Sequence, residues 1–249
     1  MINIQSKDNR IIKEVKKLKN KKYRDKEGLY LVEGPNLIEE ALKNGVQIQS
    51  LLISPSYKDK DFSYLDNSYL VEDELFKEIS DTVNSQGILA IVAKKNFSGE
   101  LKPKDNILVL DRLQDPGNMG TIIRTADAAG YGLIVSIKGS CDIYSEKVVR
   151  SAAGSLFRMP IVEGLSYEEL GELVKGKHLV VSDLQASEFY YEANLKEDIA
   201  LVIGNEGNGI SDEIRQMADM RVKLPMIGNI ESLNAAVAAG ILMYESIRK

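Results

Sequence analysis

The sequence predicts an α/β protein in two parts: a small N-terminal α/β domain, then a larger domain built on a parallel sheet. Three observations predict it. Apolar strand-like runs alternate with helix-spaced segments along the chain, the pattern of a parallel sheet covered on both faces. A polar stretch, NFSGELKPKDN, with Gly99 and Pro103, interrupts the alternation and sets a linker at 98–104 between domains at 1–97 and 105–249. The 249 residues, 44% apolar and 28% charged, suffice for two cores.

In the first part a basic helix is expected around Asn9–Asn20, followed by the strand LYLVEG. The helix NLIEEALKNG comes next: Leu37, Ile38, Ala41 and Leu42 recur at helical spacing, and Gly45 stops it. IQSLLIS reads as a strand ending at Pro55, DELFKEIS as a helix and GILAIVAKK as a buried strand. The second part opens with the strand ILVLDRL and the helix in DPGNMGTIIRTADAAG. The strand GLIVSI, the helix SEKVVRSAAGSLF, a strand near MPIVEG and the helix SYEELGELVKG follow. The strands HLVVSDL and IALVIGNEG, the helix SDEIRQMAD, the strand RVKLPM and a helix from Ser232 to the C-terminus complete the chain. Residues 151–155, Ser-Ala-Ala-Gly-Ser, predict close helix packing.

Composition excludes several classes. No apolar run reaches the ~18 residues of a membrane span, and the N-terminus has no apolar core like that of a secretion signal. The single cysteine, Cys141, forms no internal disulfide and fits a reducing cytoplasm. One cysteine and one histidine, His178, cannot build the usual metal sites, and His178 reads as structural, at the start of a buried strand. Net charge is −5 but uneven: residues 1–26 carry ten basic and three acidic side chains, leaving 22 and 34 for the rest. A basic arm on an acidic protein suits a polyanionic partner; a solvated lysine-rich helix is the plainer alternative.

Three strand ends carry unusual loops: RLQDPGNMG after ILVLD, GNEGNG after IALVI, and IGNIESLN after RVKLPM. Parallel sheets bind ligands outside the carboxyl ends of their strands. Glycine lets the backbone approach a ligand, and helix N-termini offer free N–H groups. GNEGNG is not a dinucleotide fingerprint, because Gly204, Gly207 and Gly209 do not fit G-x-G-x-x-G. Arg124 sits in an apolar helix, where it either pairs with Asp127 or faces a negatively charged substrate. The last helix is apolar almost all round, with Leu233, Val237, Gly240, Ile241 and Tyr244 on one face. Such a helix is either deeply buried or covered by another subunit.

DRLQDPGNMGTIIRTADAAG, LVIGNEGNGIS and LPMIGNIESLNAAVAAGILMYE, in this order, resemble the three motifs of the SpoU (TrmH-type) family of RNA ribose 2′-O-methyltransferases, in the SPOUT superfamily. The resemblance covers most of residues 105–249. LYLVEGPNLIEEALKNG resembles the small ribosomal-protein-like RNA-binding domain often fused to that catalytic domain. The resemblance implies a trefoil-knotted C-terminal domain, S-adenosylmethionine as cofactor, and a homodimer; composition already speaks against a metal.

It also implies site residues. Gly204, Leu224, Ile227, Gly228 and Leu233 would hold the cofactor through backbone groups and apolar contact. Asn118, Arg124, Glu206, Ser232 and Asn234 would form the catalytic site. A carboxylate against a sulfonium stabilises the reactant more than the transition state, in which positive charge leaves sulfur. Glu206 is therefore expected to orient a cation or the loop. A guanidinium is not readily deprotonated, so Arg124 is expected to clamp a phosphate and orient the 2′-hydroxyl, with Asn118 holding Arg124 or the backbone. Ser232 reads as an N-cap, a ligand group, or both. Lys7, Arg10, Lys13 and Lys17 of the basic region, with Arg150, are expected to meet RNA phosphates. Nothing around Cys141 marks a nucleophile. The expected substrate is 23S ribosomal RNA, with transfer RNA second. A catalytically silent RNA-binding or ribosome-assembly protein and a nucleotide-binding oxidoreductase are the rivals.

Overall fold

The structure, a computed structural model, describes residues 2–62, 65–82, 84–95, 105–196 and 198–248. The expected linker at 98–104 lies outside the described residues. The chain divides into two compact units, Met1–Asn96 with Tyr144–Arg158, and Phe97–Ile143 with Met159–Lys249.

The first unit contains β1 (Ile2–Ile4), α1 (Arg10–Leu18), α2 (Lys21–Glu27), β2 (Leu29–Glu33), α3 (Pro35–Lys43), β3 (Ile48–Ile53), β4 (Ser68–Val71), α4 (Asp73–Ile79) and β5 (Ile88–Ala93). Its sheet runs β1-β4-β3-β5-β2 and is mixed, because β5 lies antiparallel to both β2 and β3. The basic region is not a free arm. β1 pairs with β4, and Ile11, Ile12, Val15 and Leu18 on the inner face of α1 pack into one core with Leu31, Leu52, Phe76 and Ile91. Only the outer face of α1 carries the charge. Asn9 caps the helix, its side chain accepting from the N–H of Ile11 at 2.9 Å.

Residues 144–158 cluster with this unit, not with the rest of 105–249. Tyr144 lies 4.9 Å from Tyr30 between ring centroids, and Arg158 pairs with Glu40 at 2.8 Å. The expected continuous helix is broken. α6 (Glu146–Ser151) ends at a turn in which Ala153 (φ +48°) and Gly154 (φ +89°) are left-handed, and a 3₁₀ turn follows at Ser155–Phe157. A Cβ on Gly154 would sit 2.6 Å from Cγ of Glu40, so the close approach requires glycine.

The second unit contains β6 (Ile107–Leu110), α5 (Pro116–Ala128), β7 (Leu133–Ile137), β8 (Ile161–Leu165), α7 (Tyr167–Leu173), β9 (His178–Ser182), β10 (Glu188–Phe189), β11 (Ile199–Ile203), α8 (Asp212–Met217), β12 (Met220–Lys223) and α9 (Ala235–Ser246). The sheet is parallel throughout, ordered β10-β12-β9-β11-β6-β7-β8. β6, β7 and β11 are buried over their whole length, which explains their unbroken apolar runs. One face carries a core of Val109, Val135, Leu170, Val181, Val202 and Ile214. α9 packs on α5, where Cβ on Gly240 would stand 3.9 Å from Thr125, close enough for contact without clash. Ala236, Ala239, Leu242 and Met243 face inward. The opposite face stays apolar and open: Val237 is 51% and Tyr244 52% exposed. No helix among the described residues is long and apolar enough to cross a membrane.

Candidate active site

The carboxyl ends of β6, β11 and β12 launch the three Gly/Asn loops, and the first is anchored by a buried acid. Asp111 ends β6 fully buried, accepts the N–H of Ser211 at 2.7 Å and contacts Nε of Arg112 at 3.2 Å. Arg112 is left-handed (φ +57°), and its carbonyl accepts from Nδ2 of Asn205 at 2.8 Å. The Asn205 Oδ1 then accepts the N–H groups of Gly207 and Asn208, both at 2.9 Å, and fixes the second loop as a tight turn. Gly204 is obligatory there, since a Cβ would meet the carbonyl carbon of Gly209 at 2.5 Å.

From this turn Glu206 reaches the first loop. Its carboxylate accepts the N–H of Gln114 (3.1 Å), the N–H of Asp115 (3.0 Å) and Nδ2 of Asn118 (3.1 Å). Burial works against the charge, but the hydrogen bonds from Asn118, Gln114 and Asp115 outweigh it and hold the carboxyl below its ordinary range. Asp115 caps α5, accepting the N–H of Asn118 at 2.8 Å. Asn118 in turn accepts, through Oδ1, from Nδ2 of Asn234 at 2.9 Å. Asn234 caps α9 with its own Oδ1 on the N–H of Ala236 (2.9 Å) and Val237 (3.3 Å). The relay Glu206–Asn118–Asn234 therefore joins all three loops side chain to side chain.

The other expected site residues are placed differently. Of its two expected roles Glu206 takes the loop, orienting its backbone and an amide rather than a cation, and Asn118 holds Glu206 and Asn234, not Arg124. Arg124 is exposed on α5 and makes no hydrogen bond or ion pair among the described residues, so the pairing with Asp127 is not formed. The helix begins at Ala235, so the N-cap is Asn234; Ser232 lies exposed in the loop before it. Leu224 is buried and Leu233 half-buried, while Gly228 is exposed and Ile227 98% exposed.

No hydrogen bond among the described residues begins or ends on residues 225–233. That loop offers a run of uncommitted peptide groups beside the buried Leu224. The combination fits a ligand held by backbone donors and acceptors with one apolar face, as S-adenosylmethionine requires. Cys141, whose N–H donates to the carbonyl of Leu113 at 2.8 Å, has its thiol pushed up to about 12 by burial and by the charges of Glu206, Asp142 and Asp115. It is not activated as a nucleophile. His178 opens β9 on the exposed side. No group of three or more metal-ligating side chains occurs among the described residues.

Of the residues expected to meet RNA, Lys7 pairs with Glu78, Lys13 with Asp8 at 2.8 Å, and Arg150 with Asp81 at 3.1 Å. The side chains of Arg10 and Lys17 have no ion pair or hydrogen bond among the described residues. Asp111 and Asn205 were not singled out in the sequence. An Asp closing an apolar strand and an Asn two residues before Gly207 are the signals that could have marked them.

Residues 105–244 match the model of the SpoU rRNA Methylase family, and residues 9–90 that of the MRM3-like substrate binding domain. The chain is 36% identical over 246 residues to the 23S rRNA (guanosine(2553)-2′-O)-methyltransferase RlmP of Bacillus subtilis, covering 98% of each. It is 32% identical to the mitochondrial rRNA methyltransferase 3A of Danio rerio, covering 97% of this chain and 69% of that one. The structure of an AdoMet-bound rRNA methyltransferase from Sinorhizobium meliloti superposes with a TM-score of 0.86 at 30% identity, covering 98% and 96%. The AdoMet complex of the SpoU methyltransferase AviRb from Streptomyces viridochromogenes gives 0.88 at 28% identity, covering 96% and 97%.

Proposed function

Since the chain belongs to the SpoU rRNA Methylase family, we propose that it transfers a methyl group from S-adenosylmethionine to a ribose 2′-hydroxyl of 23S ribosomal RNA in the cytoplasm. The observation that carries this reading is the Glu206–Asn118–Asn234 relay, which ties three loops at one sheet edge into a single site. Similarity over 97% or more of this chain to relatives named for ribosomal RNA, together with the substrate-binding match, favours that RNA over transfer RNA.

The cofactor, when bound, supplies an electrophilic methyl on a sulfonium. Gly204, Leu224, Ile227, Gly228 and Leu233 hold it, through backbone groups and apolar contact. Glu206, committed to Gln114, Asp115 and Asn118, would fix the first loop and Asn118 rather than contact the cofactor's sulfonium. Arg124, with its side-chain donors uncommitted among the described residues, clamps the phosphate beside the target ribose and orients the 2′-oxygen for in-line attack. Ser232 lies on the same loop and binds ribose or phosphate. The domain at 105–249 is knotted as in the family and pairs with a second copy through the open face of α9. Residues 1–97 form the RNA-binding domain.

Labelled methyl should pass from S-adenosylmethionine to an unmodified 23S transcript, and alkaline cleavage of the product should skip one position. Methylated RNA that cleaves everywhere would refute ribose methylation.

A further inference from the structure

Resting on the reading of an RNA substrate, we infer that the cleft between α1 and α2 is a subsite for one unpaired nucleotide, its base stacked on Tyr23 and flanking phosphates held by Arg10 and Lys17. The cleft has a volume of about 420 Å³ and belongs wholly to the first unit. That is within the range of about 300–1,000 Å³ typical of small-ligand pockets. Four cationic side chains, Arg10, Lys13, Lys17 and Lys26, line it against two carboxylates, Glu14 and Glu27. Lys13 is held by Asp8 and Lys26 by Glu27, and Glu14 accepts from Gln49 at 3.3 Å. Arg10 and Lys17 remain uncommitted among the described residues. The apolar part of the lining is Tyr23 and Leu18, and the half-buried Tyr23 ring has no aromatic or cationic partner among the described residues.

The cleft is preformed. Asn20 caps α2 by accepting the N–H of Lys22 at 3.0 Å, and Gly28 ends it in the left-handed conformation. Arg24 is buried and donates from Nη1 to the carbonyl of Leu18 at 2.5 Å, locking the end of α1 to α2. An aromatic face between free cations matches a splayed nucleotide, which presents a π-face and two phosphates. A duplex hides its base faces in the stack. Each base–aromatic stack contributes about 1–3 kcal/mol and tolerates sequence change.

The test uses the full chain with two probes: an unmodified 23S transcript, and a single-stranded hexamer carrying one 2-aminopurine. Tyr23→Phe should bind both as wild type does and quench the 2-aminopurine. Tyr23→Leu should keep wild-type thermal stability, lose the quenching and bind RNA roughly 5- to 150-fold more weakly, the range of one stack. Arg10→Gln and Lys17→Gln should each flatten the salt dependence by about one unit of slope. Wild-type affinity in Tyr23→Leu, an equal loss in Tyr23→Phe, or an unchanged slope in the double charge variant overturns the subsite. Methyl transfer by wild type to the same transcript is scored separately. Its absence removes the enzymatic reading, whereas transfer with an indifferent Tyr23 removes only the subsite.

Discussion

Desolvation acts on both the exposed Glu206 and the half-buried Glu146, and their neighbours send them in opposite directions. Three N–H donors hold Glu206 below the ordinary range. Glu146 is raised to about 7, first by burial and then by the charges of Asp81 and Glu33, against Lys19 and Arg150, and its Oε2 has no hydrogen-bond partner among the described residues. A carboxyl raised in the folded state contributes stability that is full below its unfolded value and is lost as pH rises through about 7. Glu146→Gln should therefore melt like wild type near pH 4.5 and progressively higher than wild type towards pH 8, followed by thermal unfolding. Arg124→Ala should abolish methyl transfer while calorimetry finds S-adenosylmethionine affinity nearly unchanged; lost affinity would place the guanidinium in the cofactor site instead. Asn118, Glu206 and Asn234 were legible because their residue types and order are distinctive. Their partners were not: sequence order does not say that Asn118 turns to Glu206 and Asn234 and leaves Arg124 free.

At the scale of elements, long periodic or wholly apolar segments were legible and short ones were not. β1, β4 and β10 have 3, 4 and 2 residues, too few for a pattern, and α2 (KKYRDKE) has no apolar stripe. It is a helix because Asn20 and Gly28 cap its two ends. α6 was read as too long because the backbone turn at Ala153 and Gly154 is set by a tertiary neighbour, Glu40. The sequence places the start of α9 three residues early, since Ser232 and Asn234 are both good N-caps and only the fold chooses. Two substitutions separate the two duties of Asn234. Asn234→Ala should cost about 1 kcal/mol of stability through the lost cap and also cut activity. Asn234→Asp should keep the cap and the stability, yet cut activity by removing the amide donor to Asn118; stability comes from denaturant unfolding and activity from initial rates.

For the whole molecule, the two-part organisation and the parallel second sheet were legible, but residues 144–158 cross over to the first unit. The cationic N-terminus is part of a core, so deleting residues 1–26 would remove Ile11, Ile12, Val15 and Leu18 and unfold the unit. Charge-neutral substitutions on the outer face of α1 are the informative variants. The proposed pairing through the open apolar face of α9 has a direct test: Val237→Glu with Tyr244→Glu should convert a dimer into a monomer in sedimentation, leaving the fold intact by circular dichroism. A monomeric wild type would remove the proposed pairing.

No hydrogen bond among the described residues begins or ends on the loop 225–233. Under the proposed cofactor assignment, part of the donor's binding free energy would go into ordering that stretch of main chain, lowering its affinity by the same amount. A substitution that stiffens the segment in its bound shape should then tighten the donor and slow exchange of the spent product, measured by calorimetry and stopped flow.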